Sequence, residues 1–267
     1  MLTLKAETLA QAASAILEAA GTPHDIAQFV ADSLVGANLA GHDSHGVIQI
    51  PGYVELIRIG ALAPAARPEV VKEGPAIVQV DGGFGFGQFT AHVCMNLAVE
   101  KARKNQLAMV TVVRASHIGR CGQWAEQAAR AGLIGMLGVS WGNGPFSATP
   151  FGGAGRVLST NPLAVGIPLR EGPPFILDFA TTAVAEGKLR VSRAKGEAVP
   201  DGWIVDGVGR PTNDVEDFYT GGGMLQMFGG HKGFALSMMI ELLSIALSGA
   251  DAAPDAPVRW RIRRPLS

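Results

Sequence analysis

The rhythm of apolar residues changes once along this 267-residue chain, and that change limits what it can fold into. From Leu9 through Ala13, Ile16, Leu17 and Ala20 they recur at helical spacing until Gly21 stops the pattern. Thr22-Pro23-His24-Asp25 then offers an N-cap, a proline at the first helical position and an acid in the first turn, ahead of Ile26, Phe29, Val30, Leu34 and Ala37 on one face. A short third helix is expected over 53–59, closed by Gly60, and a proline-containing linker over 61–68. Beyond it the grammar alternates. Strands are expected at 76–80, 107–113, 133–139, 163–169, 175–179 and 203–205, and helices at 88–105, 123–131 and 181–190. Residues 234–247 are almost wholly apolar but carry Glu241, which is too short and too polar a run for a membrane span and reads as a buried core helix. The expected organisation is a helical unit over 1–72, an α/β unit over 73–250 and an aberrant tail over 251–267. That tail is Ala/Asp/Pro-rich and then holds four arginines in its last nine positions, and is expected to be disordered.

Charge narrows the partners. With 22 Lys+Arg against 23 Asp+Glu there is no long-range field to attract nucleic acid or a membrane surface, so a small neutral or singly charged molecule is expected. The 35 glycines fall in clusters, at 82–87, 142–155 and 221–233, which suggests loops where backbone approaches a ligand. Cys94 and Cys121 lie in helical-looking segments without metal spacing and read as packing residues in a reducing compartment. The start, Met1-Leu2-Thr3-Leu4-Lys5-Ala6-Glu7, has no secretory or transit composition, and a cytoplasmic protein is expected.

Several polar turns could carry chemistry. Asp43-Ser44-His45-Gly46 puts an acid, a hydroxyl and an imidazole in consecutive positions between two helices, and imidazole is the side chain best suited to proton transfer near neutral pH. The alternative is a helix C-terminal turn satisfied by Asp43 and Ser44. Ser116-His117-Ile118-Gly119-Arg120 repeats the Ser-His pair just past a strand, where side chains line clefts, making His117 a second candidate acid/base; the alternative is a surface loop histidine. Gly229-Gly230-His231-Lys232-Gly233 precedes the apolar helix, where amides, helix dipole and lysine would suit a phosphate or carboxylate, unless the glycines merely cap. Thr160-Asn161-Pro162 and Asp178-Phe179-Ala180-Thr181-Thr182 are polar clusters at strand boundaries.

Two familiar motifs fail in detail. Asp81-Gly82-Gly83-Phe84-Gly85-Phe86-Gly87 sits where a dinucleotide fingerprint would, but Gln88 or Thr90 stands in place of the third glycine, and the next strand ends at Arg114 instead of an acid. Gly138-Val139-Ser140-Trp141-Gly142, with Asp178 and His231 downstream, matches a nucleophile elbow, but Asn143-Gly144-Pro145 breaks the helix an elbow requires. A serine hydrolase using Ser140 stays as a minor alternative. No histidine shows HExxH or Cys/His spacing, so no metal site is expected.

Taken in order, Asp43-Ser44-His45-Gly46, Ser116-His117-Ile118-Gly119-Arg120, Thr160-Asn161-Pro162, Asp178 to Thr182 and Gly229 to Gly233 resemble the signature series of the malate/L-lactate dehydrogenase family, the non-Rossmann one that includes ureidoglycolate dehydrogenase, 2,3-diketogulonate reductase and cyclic ketimine reductases. The resemblance runs from about residue 5 to about residue 250, nearly the whole chain. It implies an oxidoreductase moving hydride between NAD or NADP and a small 2-hydroxy or 2-oxo acid, or a related imino acid. It also implies a cofactor domain with a largely antiparallel sheet flanked by helices, a helical unit for substrate and dimerisation, and a homodimer. By motif matching His45 is the proton donor or acceptor, Ser44 its orienting partner and His117 the rival. Gln49, Tyr53 and Arg120 are the substrate candidates, and Ser140, Thr160, Asn161, Asp178, Phe179, Ala180, Thr181, His231 and Lys232 the cofactor candidates. Many relatives place an arginine where this chain has Gln49, leaving Arg58, Arg120 or another donor to replace it. Relatives also continue past the Lys232 helix with strands, a Pro-Gly-Glu loop and closing helices, which the arginine-rich tail does not resemble; a truncated, inactive remnant is the second reading.

Overall fold

The computed structural model describes residues 4–141 and 146–250. The tail over 251–267, and Gly142 with the Asn143-Gly144-Pro145 break, lie outside the described residues. Helix α1 (Ala6–Ala19) buries Ala10, Ala13 and Leu17, and α2 (His24–Leu39) buries Ile26, Val30 and Leu34. Both are closed as their apolar spacing demands, with Gly21 and Gly41 at positive φ just past their ends. The cap of α2 differs from expectation. Pro23 itself is the N-cap, with ψ 143°, and no side chain caps the helix. The Thr22 hydroxyl is instead buried without a hydrogen-bond partner. Two 3-10 turns, Asp43–His45 and Val47–Gln49, lead into α3 (Ile50–Arg58).

Strands β1 (Glu69–Glu73) and β2 (Ile77–Asp81) pair antiparallel, and β3 (Met109–Val113) adds to β2 in parallel after the crossover helix α4 (Gly87–Asn105). Then come α5 (Cys121–Arg130), β4 (Gly135–Gly138), β5 (Leu163–Ile167), β6 (Phe175–Phe179) and α6 (Glu186–Lys195). The described residues finish with β7 (Ile204–Val205), β8 (Pro211–Thr212), α7 (Val215–Tyr219), β9 (Met224–Leu225) and α8 (His231–Ile245). Three small sheets of three strands result, ordered β1-β2-β3, β4-β5-β6 and β8-β7-β9. Both pairings of β7 are antiparallel, whereas β2 and β3 run parallel. This is an α/β fold without the doubly wound sheet of a Rossmann domain.

Contacts divide the described residues into two units. One runs to Gly135 and includes Val165–Ile176, and the other comprises Met136–Ala164 and the residues from Leu177 onward. This division falls elsewhere than residue 72, because the first helices do not form a core alone. Phe86, from the glycine-rich loop, packs with Leu17, Ile26, Leu34, Ile50, Tyr53 and Leu62, and Phe29 meets Phe89 of α4 edge-on at 5.8 Å. The second unit has its own core, built on Leu158, Leu189, Ile204, Phe218 and Leu225.

Two helical expectations are corrected. Residues 181–185 are not helical, since Ala183 donates to Gln226 and Thr181 to Thr160, and α6 begins only at Glu186. Nor is α8 buried all round. It buries Gly233, Ser237, Ile240 and Ile245, while Met239, Leu242, Leu243 and Leu247, two residues past its end, are exposed. An all-apolar sequence cannot say which face turns inward. No helix among the described residues is long and apolar enough to cross a membrane.

Because Leu34 is fully buried in the helical core, Leu34→Ala should cost about 3 kcal/mol of unfolding free energy. The exposed Leu39→Ala should cost almost none. Urea titrations of the two variants measure the difference.

Candidate active site

In the first unit the turn after α2 is pinned by Asn38. Its side-chain amide donates to Asp43 Oδ1 at 2.6 Å, and its carbonyl oxygen accepts from the Val47 amide at 3.0 Å. Gly46 leaves room for this arrangement, because a Cβ there would displace the Asn38 side chain. The turn so held presents Ser44 and His45, with Ser44 Oγ 3.0 Å from His45 Nδ1. Gln49 is committed to the turn, donating to the Ser44 carbonyl at 2.5 Å.

His117 reaches the same place from the end of β3. The Gly82–Gly87 loop explains how. Gly87 packs so closely on the backbone of Ser116 and His117 that a Cβ would overlap both carbonyls, and Ser116 donates to the Gly85 carbonyl. These glycines therefore seat the His117 loop, while Asp81 is held by Arg114 and the Gly83 amide. The His117 ring stacks on His45 with centroids 5.4 Å apart and planes 26° apart. Its Nδ1 lies 2.7 Å from the Tyr53 hydroxyl, which also accepts from Gln88 Nε2 at 2.7 Å. Burial, reinforced by charge on His45, pushes the imidazole of His117 down to about 4, and burial pushes the Tyr53 phenol well above its ordinary value. Ser44, His45, Tyr53 and His117 thus form one cluster.

Arg120 stands at the N-cap of α5, three positions past His117. Its guanidinium is 13% exposed and meets Glu126 only at 3.4 Å, and its Nε–H is buried without a partner. Arg58, the other candidate for a carboxylate, is exposed and tied to Glu55 at 2.6 Å.

The second unit holds the remaining candidates, which do not gather at one point. Ser140 donates to Glu241 Oε2 at 2.5 Å, and Asn161 Nδ2 reaches the same oxygen at 2.8 Å. Asn161, fully buried at φ 31°, also accepts from Ser159 at 2.5 Å. Ser140 therefore engages a carboxylate and not His231, which gives no support to an imidazole-activated serine. Thr160 offers its carbonyl to both the amide and the hydroxyl of Thr181. Asp178 and Phe179 end β6, Phe179 packs edge-on against Phe228 at 5.5 Å, and Ala180 is half-buried beside them. His231 and Lys232 are exposed at the start of α8, with the His231 ring 5.8 Å from Phe151.

The expected row of free amides at that helix start is mostly used up. Lys232, Gly233 and Phe234 donate to Gly229, Phe228 and Gly230, so anion affinity there falls to the Lys232 ammonium and the His231 ring. A cleft of about 530 Å³, lined by Phe151, Gly152, Gly153, Gly209, Gly229 and Gly230 among others, lies in this unit, and none of the nine cofactor candidates lines it. Sequence reasoning missed three residues that organise these clusters: Asn38, Gln88 and Glu241. Among the described residues no group of three or more His, Cys, Asp or Glu is placed to hold a metal, and both cysteines are buried thiols.

A family model described as malate/L-lactate dehydrogenase matches residues 4–263. The chain is 42% identical over 240 residues to the malate dehydrogenase of Pyrococcus abyssi, covering 88% of this chain and 65% of that protein. It is also 42% identical over 245 residues to hydroxycarboxylate dehydrogenase B of Escherichia coli K12, covering 91% and 68%. Its fold superposes on Δ1-piperideine-2-carboxylate reductase from Pseudomonas syringae with a TM-score of 0.88 at 33% identity, covering 94% of this chain and 74% of that one. The chain belongs to the malate/L-lactate dehydrogenase family. It spans about two thirds of the length of the curated relatives it matches.

The His117 ring stays neutral in the folded protein to a lower pH than in the unfolded chain, where imidazole ionises near pH ~6.5. The unfolded state therefore takes up the proton first, and the stability this ring contributes, intact above pH ~6.5, is lost as pH falls toward about 4. Denaturant midpoints between pH 7.5 and 4.5 should fall more steeply for the parent protein than for His117→Gln.

Proposed function

We propose that this chain carries the nicotinamide-dependent interconversion of a small 2-hydroxy acid and its 2-oxo counterpart, with cyclic imino acids as the neighbouring substrate class. The observation that carries the reading is the stacked His45–His117 pair, held by Ser44 on one side and Tyr53 on the other. The names of the relatives support it, since malate, lactate, sulfolactate and piperideine-2-carboxylate all place a carboxylate beside a carbon bearing oxygen or nitrogen.

NAD or NADP supplies the hydride acceptor or donor when bound. The residues present fit such a group. The second unit has a glycine-walled cleft within the ~300–1,000 Å³ range of ligand pockets, and the exposed Lys232 and His231 follow directly on its Gly229 and Gly230. Lys232 and His231 would hold phosphate at the rim of the cleft, while Ser140, Thr160, Asn161 and the segment Asp178, Phe179, Ala180 and Thr181, which do not line it, would support the surface behind it. His45 moves the proton to or from the substrate oxygen, and Ser44 orients its ring. The partnerless Nε–H of Arg120 takes a carboxylate oxygen, in the role the family gives to an arginine at the position of Gln49. Working as a homodimer in the cytoplasm completes the reading.

His45→Ala should lower kcat by about 10² to 10⁴. Arg120→Lys, which keeps the charge but loses the planar fork, should raise KM for the acid by about tenfold or more while leaving cofactor affinity unchanged. Initial rates with malate and lactate, each with NAD and NADP, and with a cyclic imino acid and NADH or NADPH read both effects. Full activity of His45→Ala on every substrate would remove the reading.

A further inference from the structure

Gln88 lies fully buried in the first turn of α4, where the glycine fingerprint would need its third glycine, and it touches the histidine cluster through one atom. Its Nε2 donates to the Tyr53 hydroxyl at 2.7 Å, and that hydroxyl lies 2.7 Å from His117 Nδ1. A side-chain NH₂ can only donate. The Tyr53 oxygen must accept from it, and the phenol proton is left with His117 Nδ1 as its acceptor. An Nδ1 that accepts carries no proton, so a neutral His117 must hold its proton on Nε2.

Resting on the functional reading above, we propose that Gln88 is a positioning residue that acts through Tyr53 to lock His117 as the Nε2–H tautomer. His117 is thereby a fixed hydrogen-bond donor, and His45 is left as the acid/base. The orientation of the Gln88 amide supports this. Its Oε1 is buried with no partner. Flipping the amide would put two N–H donors in that partnerless place and leave both unmet, which costs more than one unmet acceptor. The loop after His117 rests on the same side chain, since a Cβ at Gly119, whose φ is +74°, would come within 3.2 Å of Gln88 Cγ. The lowered pKa of His117 and the raised pKa of Tyr53 are compatible with this, because they keep the ring neutral and the phenol protonated. A neutral His117 also spares His45 the repulsion of a second cation 5.4 Å away when it takes up a proton.

The test reads the tautomer directly, by long-range ¹H–¹⁵N correlation of the His117 ring at neutral pH, on the protein without substrate or cofactor. The parent protein should show a protonated Nε2 and a bare Nδ1. Gln88→Met, which keeps the length of the side chain but not its donor, and Tyr53→Phe, which removes one oxygen, should each replace that single signature with a mixture. Gln88→Met should also lower kcat while KM for the acid stays within about twofold, as expected when only the reacting geometry is disturbed. A parent protein with the proton on Nδ1, the outcome a flipped amide requires, overturns the proposal. So does an unchanged tautomer in both variants. A parent protein with the expected tautomer and no turnover on any acid leaves the lock standing and removes only the functional reading.

Discussion

The hydrogen bond between the Tyr53 phenol and His117 Nδ1 joins residues 64 positions apart and unites the chemistry of the first unit. Tyr53 belongs to a helix whose neighbours are the apolar faces of α1 and α2, and His117 belongs to a loop at the end of a parallel strand. Neither side chain is held this way by its own element. A buried phenol and a buried imidazole each cost free energy unless paired, so the packing that encloses them makes their bond obligatory. That packing depends in turn on a backbone contact only glycine permits. Without the close approach of Gly87 to Ser116 and His117, the loop could not lie flat enough to bring the ring beside Tyr53 and over His45.

The second unit is organised around another buried polar centre. Glu241 projects from the largely apolar helix α8 and accepts from Ser140 and Asn161, so a strand end and a turn are fastened to it through one carboxylate oxygen. Asn161 holds an unusual positive φ while meeting Glu241, Ser159 and the Ser237 carbonyl together. A residue satisfied on this many sides can sustain a conformation that would otherwise be strained. Polar residues that look like ligand contacts in the sequence are thus partly scaffolding for the surface around them.

Periodicity made the longer elements legible. Helices α1, α3 and α4 lie close to where the spacing puts them, because their buried residues recur with the helical period, and β6 lies where the apolar run Phe175–Phe179 puts it. Strand β7 falls within the short run expected at 203–205, but the two-residue strands β8 and β9 carry too few residues for any period, and β1 is exposed along its length, so only its pairing to β2 defines it. The histidine pair was legible as two Ser-His turns at element ends, where side chains converge. Asn38, Gln88 and Glu241 were not, because each sits inside or at the edge of a regular helical pattern where a lone polar residue reads as solvated surface. Their roles come from partners between 5 and 101 positions away, information that no local window contains. The glycine-rich 82–87 segment shows the converse. Its composition invites a phosphate-loop reading, while its glycines let one loop lie against another.

The central claim is that His45 and His117 serve a hydride exchange at the carbon beside a carboxylate. Following an isotope from that carbon tests it most directly. The chain is incubated with NAD or NADP and with malate or lactate deuterated at C2, and the reduced cofactor is weighed by mass spectrometry. The account predicts one deuterium carried into the nicotinamide ring. Reduced cofactor without the label, or no reduction of either cofactor by any of the acids, contradicts it.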